Sequence, residues 1–242
     1  MSDRIKIKRN AAWPDINISP QVVLSCMDNS TLPGVDYRNH NGCNGGTAYY
    51  VYDWIQKNGI VDETCALYQA RGWSNGMTCG ETSWCRTCDV GAGCYVPNNY
   101  HMYNVTQYGW VNTTTVEQAV VSIINHLQDG PISCMVDASF PDFENWKGGA
   151  IYANNSLTDP NMLDHIISIV GYGTENNTDY WLVRNSWGTF WGDDGFFKVE
   201  RGHNYLGIEF QCSWADVDPV AKIVNPSAPV TPEIKSPVES LI

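Results

Sequence analysis

Along this chain the apolar positions change their spacing once, near residue 130. Before that point they recur at helical intervals or not at all. Ser19-Pro20 reads as an N-cap followed by proline at the first helical position, opening a short helix through Val22, Val23 and Cys26. Ala48, Val51, Tyr52 and Ile55 share one face of a helix predicted from Thr47 to about Lys57, with Asn58-Gly59 as its stop. Thr114 and Glu117 form a capping box, and behind it Val116, Ala119, Val120, Ile123, Ile124 and Leu127 keep helical spacing until Asp129-Gly130-Pro131. From Ile132 onward the texture is short alternating or apolar runs, "ISCMVDA", "HIISIVGYG", "YWLVRNSW" and "GFFKVE", which read as strands of a barrel or sandwich-like half. Residues 29–47 are dense in Gly and Asn and read as loop, and residues 65–100 carry five cysteines with little periodicity. The pattern predicts an α+β protein: a helical, cysteine-rich part over 1–105, a β-rich part over 106–219, and a mobile tail over 220–242 with four prolines and no aromatic residue.

Composition narrows the function classes. With 242 residues, 43% of them hydrophobic, the chain can bury a substantial core. A net charge of -12 repels phosphate backbones and argues against a nucleic-acid partner. The longest apolar run, Ile166-Ile167-Ser168-Ile169-Val170, is too short to cross a bilayer, so no membrane insertion is expected. Lys6, Lys8 and Arg9 read as a solvated helix end. Nine cysteines and six Asn-X-Ser/Thr sequons (Asn17, Asn29, Asn104, Asn112, Asn154 and Asn176) argue for passage through the secretory route. An odd count leaves one cysteine over from any disulfide framework.

Two stretches carry candidate chemistry, "LDHIISIVGYG" (163–173) and "YWLVRNSWGTFWGDDGFF" (180–197). Alone, His165 in an apolar run reads as a core histidine and Asn185 as a turn residue. Together, His165 begins one predicted strand and Asn185 ends another that pairs beside it through the "TENNTD" turn. A carboxamide next to an imidazole fixes its tautomer and orientation, the third-group role in nucleophile–base–orienter sites. Trp187 is placed to shield that hydrogen bond. His40, His101, His126 and His203 have no motif context, and Trp181 and Trp191 read as core packing.

These residues carry a resemblance. "GCNGG" (42–46), "DHIISIVGYG" and "WLVRNSWGTFWGDDGFF" resemble the papain family of cysteine peptidases. Within it, "DRIKIKRNAAWP", "GIVDETCALYQA", "GPISCMV" and the run from Cys79 to Cys94 resemble the cathepsin X (cathepsin Z) group, over residues 1 to 219. The resemblance implies a papain-like two-domain fold with a helical left domain and a β-barrel right domain. It implies His165 as general base, Asn185 as its orienting partner and Trp187 as the covering ring. Gly45 and Gly46 match a backbone strip that hydrogen-bonds extended substrate, Leu163 an apolar subsite, and Asp164 the leaving-group side. The implied substrates are peptides or proteins, with no cofactor and no metal, in a lysosomal or secreted setting; oligomeric state is not implied.

The same resemblance implies what the sequence does not contain. No Gln…Cys-Gly-Ser-Cys-Trp-type segment is present, so neither the nucleophilic cysteine nor the oxyanion glutamine is in these residues. The implied bridges are Cys26–Cys79, Cys65–Cys85, Cys88–Cys94 and Cys134–Cys212, which leaves Cys43 unpaired, its family partner lying in the absent segment. The four thiols from Cys79 to Cys94 could otherwise ligate zinc, a reading that an oxidising compartment disfavours. The expectation is a papain-like carboxypeptidase truncated before the middle of its central helix, with Met1 an internal methionine. The alternatives are a truncated, inactive peptide-binding or decoy protein, or a non-catalytic module with the proline-rich tail as linker.

Overall fold

The computed structural model describes residues 1–27, 42–72, 75–91, 93–111, 114–154 and 159–225. Residues 29–41 of the predicted loop over 29–47, His40 among them, the sequons at Asn29 and Asn112, and the tail from residue 226 lie outside them. The chain divides into two compact units, Arg4–Gln107 with the segment from Val217, and Tyr108–Asp216; Ser2 belongs with the first, Met1 and Asp3 with the second.

The first unit is helical and cross-linked. Helix α1 (Ser2–Lys8) buries Ile5 fully, and Lys6 pairs with Asp15. Helix α2 (Pro20–Cys26) starts where the sequence places it: Ser19 Oγ accepts from Val22 N, Pro20 opens the first turn, and the same hydroxyl donates to Ala66 O at 2.5 Å. Helix α3 (Ala48–Asn58) ends at Gly59, whose N–H donates to Ile55 O. Its inward side differs from the predicted stripe. Asp53, Trp54 and Ile55 are buried, whereas Ala48, Val51 and Tyr52 are only half-buried. Trp54 sets the rotation, stacked on Trp84 with centroids 5.5 Å apart. Burying a ring of 150–250 Å² contributes roughly 4–6 kcal/mol at about 25 cal/mol per Å², more than Ala48 and Val51 together offer. Asp53 tolerates burial because Lys57 Nζ lies 2.8 Å away one turn on.

The cysteine-rich stretch is more regular than its sequence reads. It holds a short helix α4 (Glu81–Trp84) and a hairpin of β1 (Thr87–Asp89) with β2 (Gly93–Tyr95), in which Cys88 and Cys94 are register partners and are bridged. Cys26–Cys79 and Cys65–Cys85 tie the same region to α2 and the loop after α3. Strand β3 (Tyr100–Met102) pairs antiparallel with Lys222–Val224. The assigned tail therefore begins with ordered strand: its first residues gain backbone hydrogen bonds that composition does not reveal.

The second unit is built on a seven-stranded sheet. Its strands are β4 (Val105–Trp110), β5 (Ile132–Val136), β6 (Ile151–Tyr152), β7 (His165–Glu175), β8 (Thr178–Arg184), β9 (Phe196–Glu200) and β10 (Cys212–Val217), in the order β4-β10-β5-β7-β8-β9-β6. Neighbours β10–β5, β5–β7, β7–β8 and β8–β9 are antiparallel, and β6–β9 is parallel. Helix α5 (Val116–Leu127) packs Ala119 and Ile123 into the core. Its N-cap is Thr115, which accepts from Gln118 N, one residue later than the predicted Thr114. Both frames satisfy the capping-box pattern, and the later one turns Ala119 and Ile123 inward. A second short helix, α6 (Pro141–Glu144), contributes Phe143 to an aromatic cluster with Tyr152, Trp187, Trp191 and Phe197, all with centroids 5.1–5.6 Å from it. The Cys134–Cys212 bridge joins register partners of β5 and β10.

Candidate functional site

His165 is the first residue of β7, and its place is set from β5. Val136 pairs with His165 in register, Asp164 N donates to Val136 O at 3.1 Å, and Asp164 Oδ1 accepts from Ala138 N at 2.9 Å. Asn185 follows the last residue of β8, and its N–H donates to Gly195 O at 2.9 Å. Sheet pairing between β7 and β8 brings the two side chains together: His165 Nε2 and Asn185 Oδ1 are 2.8 Å apart.

The protonation of the ring follows from the partners of one oxygen. Asn185 Oδ1 also lies 2.8 Å from Ser186 N, whose hydrogen needs an acceptor. The carboxamide is therefore oriented with oxygen toward both groups, since its nitrogen would face Ser186 N–H donor to donor. Because that oxygen can only accept, His165 Nε2 carries a proton, and the lone pair of the neutral ring is on Nδ1. Among the described residues Nδ1 has no hydrogen-bond partner. Asn185 itself is buried, 7% exposed, with its Nδ2 unpartnered among the described residues. A cavity of about 640 Å³ on the Asn185 side is lined by Ser133, Ile167, Ser168, Arg184 and Phe196 among others, but not by His165.

Trp187 stacks on the imidazole with centroids 5.1 Å apart and planes 29° from parallel. It is held from behind by Trp191 at 5.1 Å and Phe143 at 5.6 Å, and Trp191 Nε1 donates to Glu144 O at 3.0 Å. The ring over the histidine thus belongs to the aromatic core. Of the other residues singled out from sequence, Leu163 is half-buried beside the 3-10 turn Pro160–Met162, and Asp164 is exposed. Gly45 and Gly46 are in the first unit, exposed, just after the 3-10 turn Gly42–Asn44 that contains the exposed Cys43. Gly45 has φ 119°, and a Cβ there would meet nothing within 4 Å, so its backbone is open to an approaching chain. Among the described residues no group of three or more His, Cys, Asp or Glu side chains is arranged to hold a metal ion.

Sequence reasoning passes over one polar centre in the same unit. Glu209 is 1% exposed, and its carboxylate accepts from Trp181 Nε1 at 2.9 Å, Gly202 N at 2.8 Å and Asn204 N at 2.5 Å. Burial pushes its carboxyl above the ordinary range, against these donors and the nearby His203, which pull it down. The available signal was an acid set between Ile208 and Phe210.

The family model for papain family cysteine proteases matches residues 1–215. Cathepsin Z of Onchocerca volvulus is 36% identical over 225 residues, covering 89% of this chain and 65% of that protein. Digestive cysteine proteinase 3 of Homarus americanus is 34% identical over 206 residues, covering 84% of this chain and 53% of that protein. The chain thus spans between about half and two thirds of these relatives. Among solved structures, digestive procathepsin L 3 of the Tenebrio molitor larval midgut matches with a TM-score of 0.65 at 22% identity, over 88% of this chain and 59% of that one. A structure from work on the mite allergens Blo t 1 and Der p 1 matches with a TM-score of 0.61 at 28% identity, over 84% of this chain and 57% of that one.

Proposed function

Because the chain belongs to the papain family of cysteine proteases, we propose that His165 is the proton-transferring base of a peptidase centre whose thiol and oxyanion glutamine come from sequence outside these 242 residues. The observation that carries this reading is the 2.8 Å bond from His165 Nε2 to Asn185 Oδ1, which leaves Nδ1 as the ring's basic atom. Nδ1 takes the thiol proton as sulfur attacks the peptide carbonyl carbon. The resulting imidazolium donates that proton to the leaving amine nitrogen as the C–N bond breaks. Water then attacks the thioester, giving a proton to Nδ1, and sulfur leaves with it. Throughout the cycle Nε2–H stays on Asn185. Trp187 keeps water from that bond, and Gly45 and Gly46 offer backbone groups to an extended peptide. Leu163 supplies an apolar subsite, and Asp164 faces the leaving-group side.

Within the family the proposed activity is that of a cathepsin X-type carboxypeptidase in a lysosome-like or secretory compartment. The 36% identity to a cathepsin Z over 89% of the chain supports it. The test compares one peptide with a free and with an amidated C-terminus, incubated with the complete protein and followed by mass spectrometry. Removal of single residues from the free form alone is expected, and His165→Ala should lower turnover at least a thousandfold. Internal cleavage of both peptides would refute the carboxypeptidase reading. A His165→Ala variant within tenfold of the parent would refute the assigned base.

A further inference from the structure

We infer that Asn17 and Asn176 are glycan-bearing sequons of this protein, and that Asn104 and Asn154 stay bare in its folded form. The inference rests on the secretory reading above. A sequon is a three-residue pattern, and the fold decides whether a sugar placed on it is compatible with the native state, because the sugar must leave the protein surface from the carboxamide nitrogen. In the reaction, C1 of an oligosaccharide breaks from its lipid-pyrophosphate carrier and bonds to Asn Nδ2. One amide proton is lost, and the pyrophosphate leaves as the anion. The product amide keeps a single N–H, so an asparagine that needs both, or whose carboxamide is walled in, cannot carry the sugar without losing native contacts.

Asn176 meets the demand fully. It is exposed at the tip of the β7–β8 hairpin, where Glu175 and Thr178 are register partners and Asn176 and Asn177 form the two-residue loop. Both have left-handed backbone, φ 50° and 63°, the conformation of a tight I′ turn whose side chains point away from the sheet. Its carboxamide makes no hydrogen bond among the described residues. Asn17 is likewise exposed with an unengaged side chain; only its backbone carbonyl is used, by Glu63 N at 2.8 Å.

The other two are half-buried and held by their surroundings. Asn154 Nδ2 donates to Asp142 Oδ2 and to Tyr152 Oη, both at 3.2 Å, and Tyr152 Oη donates to the same carboxylate oxygen at 3.1 Å. A sugar on that nitrogen would open this triangle beside the aromatic core. Asn104 has its Oδ1 sealed from solvent, and it directly precedes Val105, which is 2% exposed. The residue is half-buried, so a sugar there would have to leave past a carboxamide whose oxygen face is closed.

The position of Asn176 also separates glycan from chemistry. Ten residue steps of β7 lie between His165 and Glu175, about 33 Å at the usual rise of a strand. A glycan at the tip therefore stands at the far end of the strand from the histidine.

The test uses the complete protein secreted from a eukaryotic cell line behind a heterologous leader, with the folded fraction isolated by size exclusion. Enzymatic glycan release in ¹⁸O water marks each formerly occupied asparagine as labelled aspartate. Labelled residues 17 and 176 in more than half of the molecules, with 104 and 154 unlabelled, is the expected result. Asn176→Gln should remove one glycan's mass and leave turnover within twofold of the parent. Occupancy of 104 or 154 in more than half of the folded molecules, or a bare 17 or 176, would overturn the assignment. The supplied leader forces passage through the secretory route, so bare sequons here count against the geometry, whereas the native protein's location tests the secretory reading separately.

Discussion

Under the proposed peptidase mechanism, replacing Asn185 by alanine isolates what the carboxamide does for the histidine. The change removes the acceptor of two 2.8 Å hydrogen bonds, from His165 Nε2 and from Ser186 N. It leaves the 5.1 Å stack of Trp187 on the ring in place, so His165 loses its angular reference rather than its location. When the ring holds the thiol's proton, its Nε2–H is a charged donor. The bond to Oδ1 then strengthens from about 0.5–1.5 kcal/mol net to about 1.5–3 kcal/mol. The difference, about 1–2 kcal/mol, falls on the barrier, and a loosely aimed ring adds roughly 1 kcal/mol more. Together these give about 2–3 kcal/mol, a drop in kcat of roughly 30- to 150-fold. KM should be nearly unchanged, because Asn185 acts through His165 and not on the substrate. Steady-state kinetics on a peptide substrate, with unfolding curves to confirm the fold, measure this. A kcat within threefold of the parent, or a loss as deep as that of His165→Ala, would refute the reasoning.

Two further perturbations probe the scaffold. Glu209→Gln keeps one oxygen for Trp181 and Gly202 but turns an amide nitrogen toward Asn204 N–H, costing about 1–3 kcal/mol at neutral pH. Because burial raises the folded-state pKa of Glu209 above its ordinary 4.5, its titration adds stability that is fully present below that value and is lost as pH rises through the raised one. Gln does not titrate, so the gap between parent and variant should be wider at pH 4 than at pH 7 in urea unfolding, and a gap that narrows on acidification would refute the assignment. Gly192→Ala forces a side chain onto a backbone with φ 59° and sets its Cβ 2.4 Å from Phe196 O, a carbonyl of the sheet. It should cost about 2–4 kcal/mol and lower Tm by roughly 5–15 °C by calorimetry; a Tm within 2 °C would mean that the turn relaxes freely.

What could be read ahead of the structure follows physical lines. The His165–Asn185 pair was legible because both residues end apolar runs joined by a short turn, and antiparallel pairing of such runs is nearly forced. Strands β5, β7, β8 and β9 were legible for the same reason. Strand β10 was not, since "CSWADV" owes its place to pairing with β5 and not to alternation of its own. The β1–β2 hairpin was hidden because its burial pattern is exposed throughout, and a bridge rather than a core defines it. The capping frame of α5 and the inward side of α3 were decided by packing, by Ile123 in one and Trp54 in the other, where local pattern permitted two answers. Glu209 escaped because three donors from distant positions make its burial tolerable, and no spacing announces them.

The four bridges also sit at different depths, and the proposed thiol chemistry would ask two opposite things of its redox surroundings. Its nucleophile must be kept reduced while its cross-links stay oxidised. Exchange requires an attacking thiolate to reach a sulfur, so access sets the order in which bridges are lost. Cys88 and Cys94 are both exposed on their hairpin, whereas Cys134 and Cys212 are 1% and 0% exposed between β5 and β10. Reductant thus meets a surface clip first. The weld beside the histidine-bearing strand opens only after the sheet itself has come apart, so reductive ageing has a built-in sequence in which the histidine-bearing unit is the last to go.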